Sequence, residues 1–231
     1  PASFSHNDEK ATAGYYSVLL KDENIKAELT ATRYAGVHRY TFPKNKPASI
    51  IIDLAHLLVD EFIYEAELEK TSNSEIVGMR RTRGWVDNQY VYFAAQFSQP
   101  FASVDFIDSK NIVSSESKVS GTKLQAVLKF DTNENKPIIA KVGISIVSVE
   151  NARENLENDV ENFDFDAVHN AARAIWSDAI SKITVKGSSE ENLTNFYTSM
   201  YHSMVVPNIV NDLNGDYRRH DMNITKLNRG E

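Results

Sequence analysis

The side chains of this chain that could do chemistry are mostly carboxylates: 32 of its 231 residues are Asp or Glu. Paired carboxylates supply general acids, general bases and cation ligands, so only their spacing can discriminate. The densest group is Glu61, Glu65, Glu67 and Glu69. Strand alternation would place all four on one face, where the economical reading is a solvated surface that discourages edge pairing. Asp212, Asn214 and Asp216 begin like a calcium loop, but Gly215 occupies the fourth position and Asn223 the twelfth, where that loop needs glycine sixth and glutamate twelfth. Asp131, Asn133 and Asn135 are followed by Lys136 where the glycine should be. Both segments are expected to be turns.

The six histidines are scattered and His169 has no partner at 165 or 173, so no zinc site is predicted. The absence of cysteine excludes disulfides, thiolate metal sites and thiol nucleophiles. Neither a phosphate-cradling glycine loop nor a G-x-S-x-G elbow occurs. Trp85 follows Gly84 in a turn behind Arg80, Arg81 and Arg83; its ring could stack on a pyranose or pack internally. Trp176 is expected to pack.

A net charge of −7 disfavours nucleic-acid backbones and anionic membranes as partners. No apolar run reaches the roughly 20 residues that span a bilayer. Pro1 is neither a start methionine nor part of a signal peptide, and the chain is expected to begin inside a longer precursor. The 42% hydrophobic content, with 11 Phe and 10 Tyr, fits a packed globular protein.

Periodicity supplies the elements. Ile25, Ala27, Leu29 and Ala31 alternate with Lys26, Glu28, Thr30 and Thr32, which predicts a strand with one dry and one wet face. A turn at Tyr34 to Gly36 would return the chain through Val37 to Phe42. Phe62, Tyr64, Ala66 and Leu68, and again Leu124, Ala126, Leu128 and Phe130, should mark dry faces, while the run from Ile138 predicts burial on both sides. About ten strands at this spacing predict a mainly β fold, an antiparallel sandwich.

After Val147 the period changes. Ser148 is a predicted N-cap for a helix from Val149 to about Asp159, asparagine-rich and intrinsically weak. Phe165, Val168, Ala172, Ile175, Trp176, Ala179 and Ile183 make one helical face. Ser188 with Glu191 suggests a capping box for a third helix, whose stripe of Leu193, Phe196, Tyr197, Met200, Tyr201 and Met204 ends at Pro207. The tail from Asp212 shows no periodicity.

The wording of these segments carries a resemblance. GYYSVLL (Gly14 to Leu20), ELTATRYAGVHRYTFP (Glu28 to Pro43), GWVDNQYVYFAAQFSQPF (Gly84 to Phe101), SIVSVENARENLEND (Ser145 to Asp159) and FYTSMYHSMVVPN (Phe196 to Asn208) resemble family-92 glycoside hydrolases, calcium-dependent exo-acting α-mannosidases. The resemblance implies a β-sandwich at 1–147, a helical linker at 148–187, and at 188–231 the beginning of a truncated (α/α)6 catalytic barrel. Inverting hydrolysis needs an acid and a base roughly 6.5 to 9.5 Å apart. The resemblance puts both, with the calcium ligands, in the barrel beyond this chain, which alone should be inactive.

It also implies a mannose-containing glycan as partner, contact with the protein's own barrel, and a bacterial protein that is periplasmic or at the cell surface or secreted. His6, Glu9, His38 and Arg39 lie in resembling stretches and are candidates for an interdomain contact or a pocket rim. Asp212, Tyr217, Arg218 and Asp221 resemble the start of the barrel and come nearest the catalytic centre. A non-catalytic carbohydrate-binding or adhesion module is the alternative, although such modules display several aromatics on one platform, and most aromatics here occupy core or stripe positions.

Overall fold

The computed structural model describes residues 2–57, 62–84, 86–132, 136–187, 189–206 and 208–227. After a short 3-10 turn at His6–Asp8 come β1 (Glu9–Thr12), β2 (Tyr15–Leu20), β3 (Ile25–Ala31), β4 (Ala35–Thr41), β5 (Ala48–Asp53), β6 (Phe62–Lys70), β7 (Glu75–Arg83) and β8 (Gln89–Phe97). Then follow β9 (Ser103–Ile107), β10 (Val113–Ser114), β11 (Lys118–Gly121), β12 (Gln125–Phe130) and β13 (Ile138–Ser145). Three helices, α1 (Val149–Asp159), α2 (Phe165–Ser181) and α3 (Glu190–Ser203), precede a hairpin of β14 (Asp216–Arg218) and β15 (Ile224–Lys226).

The strands form two antiparallel sheets, one ordered β1-β2-β3-β4-β13-β8-β7-β6-β11 and one ordered β10-β9-β12-β5. Their facing sides hold the core: Ala66, Leu68, Ile76, Phe93, Phe97, Phe106, Leu124, Leu128 and Ile138 are buried together. The alternation at Leu124 to Phe130 is therefore a dry face as expected, with all four residues buried. β13 lies at the middle of the large sheet and is buried on both sides.

Two of the expected faces change. In β6 the register against β7 shifts between Ile63 and Glu65. That bulge turns Ile63 into the core and leaves Phe62 and Tyr64 exposed, so the dry set is Ile63, Ala66 and Leu68. In β3 the side expected to be wet is covered: Glu28 and Thr30 are buried, because α2 lies across β2, β3 and β4. The β3–β4 turn falls two residues earlier than expected, at Thr32 to Tyr34, closed by the Thr32 N–H to the Ala35 carbonyl at 2.8 Å.

The outer side of the large sheet seats the helices. Ser148 caps α1 as expected, accepting from the Asn151 N–H, and Ala152 and Leu156 press onto β13 at Gly143. A Cβ on Gly143 would lie 2.2 Å from the Ala152 carbonyl oxygen, so only glycine permits this approach. The Lys141 ammonium, buried beneath α1, donates to the carbonyls of Val160 and Glu161 at 2.8 and 3.2 Å. It thus satisfies acceptors at the helix end, and burial lowers its pKa.

α2 buries Phe165 and Ala172, while Ile175 and Ile183 of its expected face are exposed. Trp176 is half-buried and packs edge-on against Tyr201 of α3. The N-cap of α3 is Ser189, which accepts from Asn192 N–H, in place of the Ser188 box; Ser188 lies outside the described residues, as does Pro207. No residue of α3 is fully buried, so its aromatic stripe is only partly covered. The tail, expected to lack periodicity, forms the β14–β15 hairpin.

Candidate functional site

The hairpin is attached where β13 gives way to α1. Ser145 ends the strand, and Asn151 and Asn155 stand one turn apart on the helix. All three donate to the buried Asp212: Ser145 Oγ at 2.6 Å and Asn151 Nδ2 at 2.8 Å to Oδ2, Asn155 Nδ2 at 2.8 Å to Oδ1. Two of the three asparagines that make α1 intrinsically weak are thus the side chains that hold Asp212. Gly215, with φ near +90°, turns the chain and donates to the Asp212 carbonyl. Asn214 Oδ1 accepts from the Asp216 N–H. The predicted turn is confirmed, its polar groups directed inward.

Arg218 attaches the hairpin a second time. Its guanidinium donates to the carbonyls of Ile146 and Val147 at 2.9 and 3.2 Å and lies 4.3 Å from the centre of the Tyr90 ring. Arg81 lies against Tyr90 as well, at 5.4 Å, and donates to Asn88. Between this platform and the hairpin runs a groove of about 690 Å³. Tyr90, Ile146, Val210 and Met222 make its apolar part, and Asn88, Tyr217, Arg219, His220 and Asp221 its polar rim. Met222 holds a φ of 69°, a strained value for a residue with a side chain. The backbone N–H of Asn223 holds the Asp221 carboxyl below the usual aspartate range. At neutral pH Asp221 is therefore an acceptor for hydroxyls and not a proton donor.

Of the candidates read from sequence, Tyr217, Arg218 and Asp221 share this groove. Asp212 lies buried behind it. Trp85 lies outside the described residues, as do Glu61, Asn133 and Asn135. His6 and Glu9 pair at 2.7 Å at the sandwich edge, where Tyr16 also donates to Glu9 at 2.7 Å. The bonds from Tyr16 and His6 lower the Glu9 pKa.

His38 and Arg39, adjacent in β4, face opposite ways. His38 meets the Tyr40 hydroxyl at 2.8 Å on the inner side, where burial lowers the imidazole pKa and raises the phenol's. Arg39 points outward and makes two 2.8 Å bonds to Glu28 and one of 2.9 Å to Asp166, over the Phe165 ring at 4.3 Å. Arg39 and then Tyr15 bring the Glu28 carboxyl down to about 2. Sequence reasoning missed Arg219, His220 and Asn88 at the groove and Ser145, Asn151 and Asn155 beneath it. The asparagine spacing in α1 was the available signal.

The acidic face of β6 is paired: Lys118 of β11 lies 3.0 Å from Glu67 and 3.7 Å from Glu69, and Arg81 3.5 Å from Glu65. Among the described residues no three His, Asp or Glu side chains converge as a metal ion requires. The oxygens of Asp212 already accept from amide and hydroxyl donors, so these residues do not fit calcium.

Residues 1–145 match the Glycosyl hydrolase family 92 N-terminal domain and residues 151–230 the Glycosyl hydrolase family 92 catalytic domain. A protein of the fungus Arthroderma benhamiae described as an uncharacterized secreted glycosidase is 25% identical over 220 residues, covering 86% of this chain and 28% of its own. The solved family GH92 α-mannosidase BT3965 from Bacteroides thetaiotaomicron superposes with a TM-score of 0.91 at 31% identity, over 98% of this chain and 31% of its own. The inverting mannosidase BT2199 from the same species, at 24% identity and a TM-score of 0.87, shares the fold over 97% of this chain and 30% of its own. The chain thus spans under a third of the length of these relatives.

Proposed function

Because the chain belongs to glycosyl hydrolase family 92, carrying its N-terminal domain and part of its catalytic domain, we propose that it is the non-catalytic amino-terminal portion of an exo-acting α-mannosidase that removes terminal α-linked mannose with inversion. The observation that carries this reading is the match to a solved α-mannosidase along nearly the whole chain. We place the sandwich at 1–147, a helical connection at 148–187 and the first barrel segment at 188–231, the match to the catalytic-domain family running across the last two from residue 151. The acid, the base and the calcium ligands belong to the remainder of the catalytic domain.

The sandwich's share is to buttress that domain and, together with the β14–β15 hairpin seated on it, to complete one wall of the sugar pocket. The groove suits the task. Tyr90 and Met222 offer apolar surface to a pyranose face, while Asp221 accepts from hydroxyls and Arg219 donates to them. Such groups bind and orient a sugar without moving a proton. The protein acts outside the cell, in the periplasm or at the surface if its source is bacterial; the secreted fungal relative supports the exported location. Among the described residues no helix is long and apolar enough to cross a membrane.

The test is mannose release from an α-mannobiose by the intact protein, with calcium and with a chelator, beside the 231-residue chain alone. Activity of the intact protein only, abolished by chelator, is the expected result. Release by the isolated chain would overturn the assignment of the catalytic groups to residues elsewhere.

A further inference from the structure

A carboxylate that is 4% exposed, with no lysine or arginine paired to it among the described residues, is costly to bury unless neutral donors surround it. Asp212 meets such donors from two elements, and the polarity of each is fixed. Asn155 Oδ1 accepts from the Leu213 N–H while its Nδ2 also donates to the Ile144 carbonyl. That amide cannot flip without breaking both. Ser145 Oγ accepts from the N–H groups of Val147 and Ser148, so its proton is left for Asp212. Asn151 turns its Nδ2 toward Asp212 and Asp216 while its Oδ1 accepts from Ser148 Oγ. A group that only accepts is therefore required at 212, and an amide there would oppose one donor to another.

The backbone carries this lock to the groove. The Asp212 N–H donates to the Asp216 carbonyl at 2.8 Å, and the Leu227 N–H to that of Gly215 at 2.9 Å. The first turn of the hairpin is thereby set by the residue buried under it, and Tyr217 follows directly. We infer that Asp212 is a positioning residue: through Ser145, Asn151 and Asn155 it fixes the β14–β15 hairpin against β13 and α1, and so presents Tyr217 and Asp221 to the sugar. This inference rests on the reading of the groove as a pocket wall.

The experiment compares Asp212→Asn with Leu128→Ala, a core substitution in the smaller sheet, in the intact protein. Hydrogen exchange and the kinetics of α-mannobiose hydrolysis are both measured. Asp212→Asn should speed exchange across residues 213–227 and raise KM about tenfold with kcat little changed, since displaced binding groups cost affinity first. Leu128→Ala should lower overall stability without raising KM. Ser145→Ala, which removes one donor and keeps the carboxylate, should move exchange and KM in the same direction by a smaller factor and serves if Asp212→Asn does not fold. Unchanged exchange across 213–227 in the variants overturns the inference, as does faster exchange with an unaltered KM. If the unsubstituted protein releases no mannose, the functional reading falls separately, and the exchange measurement still decides whether Asp212 holds the hairpin.

Discussion

α1 and α2 rest on the same side of the same sheet, yet the feature that most constrains each seat differs. Under α1 the tightest contact is a matter of shape: Gly143 of β13 admits the helix backbone, Ala152 and Leu156 are fully buried, and Val77 and Ala94 complete the floor. At the side Arg153 adds two bonds of 3.1 and 3.0 Å to Glu75 of β7. Under α2 packing of Phe165 and Ala172 is joined by a cluster of charges. Arg39 joins Glu28 of the sheet to Asp166 in the first turn of the helix, with its guanidinium over Phe165. The helix bearing the Asn151 and Asn155 network is thus seated by close packing, which tolerates no added atom. The helix leading toward α3 adds to its packing a charge cluster, which responds to pH and salt.

The strongest way to break the contrast is to fill the close approach. Gly143→Val would drive side-chain carbons into the Ala152 carbonyl and Leu156, which cannot yield without lifting α1. We expect a loss of at least about 3 kcal/mol, read by chemical denaturation, with faster exchange in α1 and in the hairpin. Leu156→Ala leaves a cavity at the same contact and should cost about 3 kcal/mol. A loss below about 1 kcal/mol would mean that α1 closes over the gap and that its seat is less tightly specified than Gly143 implies.

The difference between the seats also governs how much could be read from sequence. Alternation at Leu124 to Phe130 and the continuous run from Ile138 reveal the core because burial there follows a simple period. Glu28 and Thr30 read as a wet face because nothing local announces that α2, more than a hundred residues later, will cover them. The bulge between Ile63 and Glu65 is equally silent and reverses Phe62 and Tyr64. At the candidate site, Tyr217 and Asp221 were legible from their short segment. Asp212 was recognised as a candidate, but its inward direction depends on Ser145, Asn151 and Asn155, brought to it by the chain's return over long separations.

The ionic seat should fail by degrees. Arg39→Ala removes both ion pairs and the contact with Phe165, and leaves the mostly buried Glu28 with Tyr15 and Lys26; a cost on the order of 2 kcal/mol is expected at neutral pH. The pH dependence has a definite sign. The Glu28 carboxyl titrates near 2 in the fold, against 4.5 ordinarily, so the unfolded chain takes up the proton first. The stabilisation is complete above about pH 4.5 and is lost as pH falls toward 2. Melting curves across that window should therefore show wild type and Glu28→Gln converging at low pH. Parallel curves would mean that Glu28 contributes through packing and not through its charge.

The smallest effect separates the two ways a carboxylate can serve the start of α2. Asp164 Oδ1 accepts from the Ala167 N–H at 2.9 Å, and Asp164→Ala should cost about 1 kcal/mol. Asp164→Asn keeps the acceptor and removes the charge. Because Asp166 already places a negative charge in the first turn, the helix dipole is served without Asp164. Asn should therefore retain nearly the full stability in a denaturant titration. If Asn is as damaging as Ala, charge carries the cap as well, and the ionic character of the α2 seat extends beyond the Arg39 pairs to the whole amino-terminal turn of the helix.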